Sequence, residues 1–267
     1  MGGVLIIIGI AGAALLVAGA QAPVLFGLAA LGAFGGIGLW DDLLAVRRDR
    51  NLGLRARERL ALQLAIGFAL GWLAMRQPWL DTAIAIPGGG DMDLGWGYVL
   101  FAGLLFVGFA NAVNLTDGLD GLAAQLVAVA AVGFFAIALV RAHVPAAVLA
   151  IAVAGACAGF LIFNAHPARV FMGDVGSNAL GGVLAALAII TRAEVALFLI
   201  GGVFVAVAAS VILQVAYFKA TGGRRIFRMS PLHHHFELAG WPEPTIVRRF
   251  TWAGIVCNLL GLLVTLR

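Results

Sequence analysis

The sequence predicts an all-α polytopic membrane protein of about nine transmembrane helices, with an active-site cleft at one membrane face. Three observations predict it. Hydrophobic residues make up 63% of the chain and charged residues 11%, which is more apolar surface than a soluble domain of 267 residues can hide. The mean hydropathy of +1.05 says the same. The apolar residues are gathered into runs near the ~20 residues that cross a bilayer as a helix, and the basic residues are divided unequally between alternate loops.

The runs lie at 4–20, 23–40, 60–77, 97–113, 121–141, 145–163, 177–191, 194–218 and 246–266. The first follows Met1-Gly2-Gly3 with no basic stretch before it and no cleavage signal, so it reads as a span and not a leader. The second carries Gly27, Gly32, Gly35, Gly36 and Gly38, and small residues let helices approach closely in lipid. Between the third and fourth runs, segment 78–96 carries Pro, Gly and a β-branched patch and predicts a small hairpin at the interface. Cys157 and Cys257 both fall inside apolar runs and read as small core residues. Segment 194–218 can be one span or a broken, tilted one. No soluble domain or repeat array is visible, so residues 1–267 form one membrane domain.

Nine spans place loops 41–59, 114–120, 164–176 and 219–245 on the side of the N-terminus. Of the 17 Lys and Arg, only Arg76, Arg141, Arg192 and Arg267 flank the other side, leaving 13 on the first. By the positive-inside rule the first side is cytoplasmic. This topology also accounts for the net charge of +4, so nucleic acid is not implied. The arginine-rich loop 47–59 can in addition attract anionic lipid headgroups.

Every conspicuous acid lands on that same side: Asp41 and Asp42 after the second run, Asp117 and Asp120 in NAVNLTDGLDG, and Asp174 in FNAHPARVFMGDVGS. Ionisable groups at the edge of membrane helices are costly, and function is the default reading. Carboxylates are hard oxygen ligands, and magnesium prefers one or two of them with water and substrate phosphate. Their mutual repulsion raises some of their pKa values unless a cation relieves it. Gly118, Gly121, Gly173 and Gly176 permit tight turns and close backbone approach to phosphate. Asp49 and Glu58 read instead as ordinary solvated acids. In PLHHHFELAGWPE, three consecutive histidines have the wrong spacing for a zinc trio and suit hydrogen bonds to phosphate or sugar. His143 reads as structural, while His166 adjoins the acidic segment; Phe171 offers an aromatic face to a base or a membrane anchor.

The stretches WDDLLAVRRDRNLGL, NAVNLTDGLDGLA, FNAHPARVFMGDVGSNALGG and SPLHHHFELAGWPEP together resemble the bacterial phospho-N-acetylmuramoyl-pentapeptide transferases, within the polyprenyl-phosphate N-acetylhexosamine-1-phosphate transferase superfamily. The resemblance spans essentially the whole chain. The acidic motifs are shared across the superfamily, and the HHHFELAGWPE segment is typical of the muramoyl-pentapeptide branch. The resemblance implies transfer of phospho-MurNAc-pentapeptide from UDP-MurNAc-pentapeptide to undecaprenyl phosphate in a bacterial inner membrane, with Mg²⁺, giving lipid I and UMP. It implies Asp174 as the magnesium ligand, Asp41 as the base for the lipid phosphate with Asp42 beside it, and Asp117 at the catalytic centre near the donor phosphates. Gly118, Leu119, Asp120 and Phe171 are then the uridine pocket, Phe171 stacking on uracil and Asp120 bonding its edge. Asn114 and Asn164 line the nucleotide cleft, and His233, His234 and His235 contact the donor. Direct attack is favoured over an aspartyl-phosphate, and a homodimer is a candidate assembly.

The chain departs from that family in two places. Members have ten spans and an N-terminal motif like PTMGG; Met1-Gly2-Gly3 looks like the tail of that motif, so the family's first helix is expected to be missing here. Ala45 stands where a lysine usually follows the second aspartate by three residues. Three alternatives stay open on residues alone: a sister transferase using UDP-GlcNAc, which should lack HHHFELAGWPE; a transporter with a proton relay, whose acids belong near mid-membrane; and an inactive truncated protein.

Overall fold

The computed structural model describes residues 2–47, 53–86 and 89–266. Arg48 and Arg50 of the basic loop, Asp49 and the terminal Arg267 lie outside the described residues. The chain runs α1 (Gly3–Ala18), α2 (Ala22–Arg47), α3 (Ala56–Met75), β1 (Ala83–Ile86), β2 (Gly90–Asp93), α4 (Gly97–Thr116), α5 (Leu122–Val140), α6 (Val144–Asn164), α7 (Gly173–Ile190), α8 (Glu194–Ile200), α9 (Gly202–Ala220), α10 (Leu232–Leu238) and α11 (Glu243–Thr265). Among the described residues, eight of these helices are long and apolar enough to cross a membrane; α1, at 16 residues, is a shorter apolar helix. The molecule is an all-α, multi-pass membrane protein. Its only sheet among the described residues is the antiparallel hairpin β1–β2, within the segment expected to form one.

Successive helices run in alternate directions, which sorts the loops into two ends. At one end the backbone N–H groups of Gly2 and Gly3 donate to the carbonyls of Phe171 and Met172, tying the start of α1 to the start of α7. The connections α2–α3, α4–α5, α6–α7 and α9–α11 lie there. The β-hairpin and the connections α5–α6 and α7–α8 lie at the other end.

The helix α7 is the axis of the bundle, with 89% of its span buried, against 28% for α3 and α9. Its small residues make this possible. A Cβ added at Gly38 of α2 would stand 2.6 Å from the backbone nitrogen of Val175, so only glycine lets α2 lie this close to α7. Phe34, Phe106 and Tyr98 are fully buried around this centre.

The segment 194–218 is a broken pass, split at Gly201–Gly202 into α8 and α9. A Cβ on Gly201 would meet the Phe109 ring at 2.7 Å, so the break packs directly against α4 and leaves no room for a side chain there. His143 is structural: its Nδ1 accepts the Ala146 N–H at 3.2 Å and caps α6. Cys157 and Cys257 are both free thiols; Cys157 is a core residue as expected, while Cys257 is only half-buried.

Candidate active site

The acids meet at the end of the bundle where α2, α4 and α7 converge. Asp174 lies in the first turn of α7, where the helix dipole favours an anion. Its Oδ2 accepts Arg59 Nη1 at 2.6 Å and its Oδ1 accepts Asn114 Nδ2 at 2.8 Å. The same Asn114 amide donates to Ser177 Oγ at 2.9 Å. A polar chain continues into the bundle behind it. Asn178 Oδ1 accepts Arg59 Nη2 and Gln63 Nε2, at 3.3 and 3.0 Å, and Gln63 Oε1 accepts Asn111 Nδ2 at 2.7 Å. Gln63 and Asn178 are both buried.

Asp42 has a different task. Its two carboxylate oxygens accept the backbone N–H groups of Asp174 and Val175, each at 3.3 Å, so a side chain of α2 caps α7. Gly173 opens that helix at φ +67, and a Cβ there would come 2.6 Å from Asp42 Oδ2. Glycine therefore serves both the left-handed turn and the cap. Asp41, one residue earlier, faces the Asp174 carboxyl and accepts Leu54 N–H at 2.7 Å.

Asp117 terminates α4 with φ −78 and ψ 50. Among the described residues no group donates a hydrogen bond to its carboxylate. Burial pushes its pKa up to about 7, and the charges of Asp174 and Asp42 add to the shift. Among the described residues Arg59 is the cation paired with the cluster, and one pairing leaves most of its carboxylates unbalanced. That is the donor set and imbalance a divalent cation relieves, so the residues fit a hard metal ion.

Beside the acids is a cleft of about 310 Å³ lined by Asn114, Asp117, Gly118, Leu119, Asp120, Asn164, Phe171, Gly173 and Asp174. All nine were singled out from sequence, Gly173 for its turn. Phe171 is 65% exposed and presents its ring to the cleft. Asn164 is buried and donates to the Val170 carbonyl at 2.9 Å, holding the loop that carries Phe171. Asp120 Oδ2 accepts Ala168 N–H at 2.9 Å and lies 3.2 Å from His166 Nδ1; its own N–H donates to Glu243 Oε1 at 2.6 Å.

The histidines separate. They lie on α10, a short helix where a loop was expected. His233 is fully buried, with neither ring nitrogen partnered among the described residues, and burial lowers its pKa to about 4. It packs behind Gly118: a Cβ there would meet its Cε1 at 3.1 Å and His234 Nε2 at 3.2 Å. His234 Nδ1 pairs with Glu237, and His235 Nδ1 accepts Arg228 N–H at 3.1 Å. None of the three lines the cleft, so the expected direct contact of all three with a donor is not what this arrangement presents.

Sequence reasoning passed over Arg59, Gln63, Asn178, Ser177 and Glu243. Gln63 and Asn178 carried a signal, each being a polar residue inside an apolar run.

The glycosyl transferase family 4 model matches residues 24–192. Phospho-N-acetylmuramoyl-pentapeptide-transferase of Geobacillus kaustophilus is 46% identical over 99% of this chain and 82% of its own length. The enzyme of that name from Heliobacterium modesticaldum is 49% identical over 100% of this chain and 83% of its own. The chain belongs to the phospho-N-acetylmuramoyl-pentapeptide-transferase family. A third member, from Shouchella clausii, is 49% identical over 86% of the chain and 71% of its own length. Family membership gives the cleft a setting: the family-4 match runs from α2 to the end of α7 and so contains every residue that lines it.

Proposed function

We propose that this chain transfers phospho-MurNAc-pentapeptide from UDP-MurNAc-pentapeptide to undecaprenyl phosphate, releasing UMP and leaving lipid I, at the cytoplasmic face of a bacterial membrane and with Mg²⁺. The observation that carries this reading is the juxtaposition of Asp117 and Asp174 with the Asp120–Phe171 side of one polar cleft at the end of a membrane bundle. A soluble nucleotide donor and a membrane-held acceptor meet only at such a boundary.

Phosphoryl transfer asks the protein for positioning and charge neutralisation. An oxygen of the acceptor phosphate attacks the donor's sugar-bound phosphorus, the bond between the two donor phosphates breaks, and UMP leaves with the bridging oxygen. Asp41 takes the proton of the acceptor phosphate. Asp174 and Asp117 would hold the metal ion, which would neutralise the diphosphate when bound. Asp42 fixes the direction of α7 and so places Asp174. Arg59 holds Asp174 Oδ2 and Asn114 holds Oδ1, so that carboxylate is oriented from both sides. Phe171 stacks on uracil, Asp120 bonds its edge, and Leu119 and Asn164 complete the wall. His233 and His234 act from behind Gly118, setting how deep the donor sits.

The acceptor's chain has its own path. An apolar groove of about 290 Å³ runs along α4 from Phe101 to Ala112, with Phe198, Val205 and Ile212 opposite, and ends little more than one turn from Asp117. It suits a prenyl chain reaching the acids from the bilayer.

The donor is decided by assay. Purified protein with undecaprenyl phosphate and each UDP-sugar in turn should form lipid I only from UDP-MurNAc-pentapeptide. Efficient use of UDP-GlcNAc without lipid I would move the chain to the sister transferases.

A further inference from the structure

A second cavity, of about 440 Å³, lies at the end of α9 on the same membrane face as the carboxylates. It is lined by Gln214, Phe218, Lys219, Arg225, Arg228 and Leu238, among others, and by no acid. Among the described residues Lys219, Arg224, Arg225 and Arg228 form no salt bridge. Among the described residues Arg59 and Arg192 are the arginines paired with carboxylates, so what sets these cations apart is that three of them line one cavity. Four uncompensated cations are thus gathered where a span leaves the bilayer.

The cavity is held open by the fold. Buried Gln214 accepts the N–H groups of Ile226 and Phe227 at 3.0 Å each and donates to the Phe227 carbonyl at 3.2 Å, so the loop after α9 is folded back against the helix. Arg228 ties the same loop to α10, its Nη1 donating to the Leu238 carbonyl at 2.7 Å. The walls beside these cations are apolar and open: Phe218 is 42% exposed and Leu238 56%. A free anion would leave those walls wet. A ligand that satisfies both is an anion joined to an apolar chain at the depth of the membrane interface. The cavity shares no lining residue with the carboxylate cleft.

We propose that Lys219, Arg225 and Arg228, over the Phe218–Leu238 wall, form a headgroup site for an acidic glycerophospholipid of the surrounding membrane. Juxtamembrane basic clusters bind such headgroups with a gain that adds up per cation. Occupancy would brace the loop that Arg228 and His235 join to α10, and with it the His233 side chain behind Gly118.

The test is lipid retention by the full chain in detergent, read by native mass spectrometry as phosphatidylglycerol or phosphatidylcholine is titrated. The wild type should retain phosphatidylglycerol and release phosphatidylcholine. Lys219→Gln should weaken retention about fivefold, and K219Q/R225Q about thirtyfold. The charge-conserving pair K219R/R225K should bind as the wild type does, and with the single K219Q it keeps the test decisive if the double neutral variant does not fold. Equal retention of the two lipids overturns the site. So does an equal loss in R47Q/R57Q, which removes the same charge from another loop and would show diffuse attraction only. If polyprenyl phosphate displaces phosphatidylglycerol competitively and its binding is lost in K219Q/R225Q, the site belongs to the acceptor and the proposal fails.

Discussion

The two ends of the bundle both gather charge, but they treat it differently. At the hairpin end the charged groups find partners, although Glu194 Oε2 and Arg192 Nε have none among the described residues. Arg192 Nη2 bonds Asp91 at 2.9 Å and the Ala83 carbonyl at 3.1 Å, with Asp81 at 3.6 Å. Arg141 Nη1 donates to the Thr191 and Arg192 carbonyls, and Glu194, 1% exposed, accepts the Tyr98 hydroxyl at 2.7 Å. Loss of solvent lowers the pKa of Arg141, with the neighbouring Arg192 second, while Glu194 and Asp91 oppose the shift. At the other end Arg59 pairs with Asp174 and acts on Asp41, and among the described residues no side chain forms a salt bridge with Asp41, Asp42 or Asp117. Charge density is therefore no guide to function here; imbalance is. A paired cluster is a clamp, while an unbalanced one calls for a ligand to balance it.

The comparison breaks most sharply at Asp174. Asp174→Asn should lower UMP release by about three orders of magnitude or more, since the metal's charge stabilisation is worth several kcal/mol. Near-normal turnover with unchanged magnesium dependence would remove this residue from the metal site. The next effect falls on Arg59. Losing its hydrogen bond to a charged group costs roughly 1.5–3 kcal/mol, so Arg59→Gln should slow turnover by about one to two decades. The half-saturating magnesium concentration should move with it, and Arg59→Lys should recover part of both. A magnesium dependence identical to wild type in R59Q would leave Arg59 a purely structural cation.

At the matched end the prediction reverses. Tyr98→Phe leaves a buried acid without its donor and should cost roughly 1–3 kcal/mol in stability, with turnover per folded molecule unchanged. A loss of turnover as large as that of R59Q would mean that the two ends are not separate in function. The smallest effect concerns Asp117. Its pKa is raised to about 7 in the folded chain from near 3.8. Between those values the folded state holds a proton that the unfolded state has lost, so stability falls as pH rises through this window. In metal-free protein Asp117→Asn should therefore melt higher than wild type near pH ~8, on the order of 2 °C or more, and equal to it near pH ~4. Equal melting at both would show that the repulsion is already relieved.

Much of this was readable in the chain because membrane constraints are strong. The spans announce themselves by length, and acids at span edges stand out against 63% hydrophobic residues. The nine residues lining the cleft all come from short loops or helix ends that sequence alone locates. The remainder depended on tertiary contact. Adjacent residues on a helix point about 100° apart, so nothing in HHHFELAGWPE says that His233 faces Gly118 while His235 faces Arg228. Asp41 and Asp42 are indistinguishable as letters; only the position of α7 makes one a cap and leaves the other facing Asp174. The need for glycine at 201 comes from Phe109, 92 positions earlier in the chain (201 minus 109). Arg59 looked like one more topology signal in a basic loop.

The burial of α7 also bears on how the protein is made. Its principal neighbours α2, α4 and α1 all come before it in the chain, and α8 is the only later helix that packs on it appreciably. Synthesis proceeds from the N-terminus, and early segments organise first. When α7 leaves the ribosome, the helices that receive its glycines and shield Asn178, and Asp42 that caps its first turn, have already been synthesised. The most sheltered helix of the bundle is thus spared a period alone in lipid, and the helices synthesised afterwards, α9 and α11, are added around a finished centre.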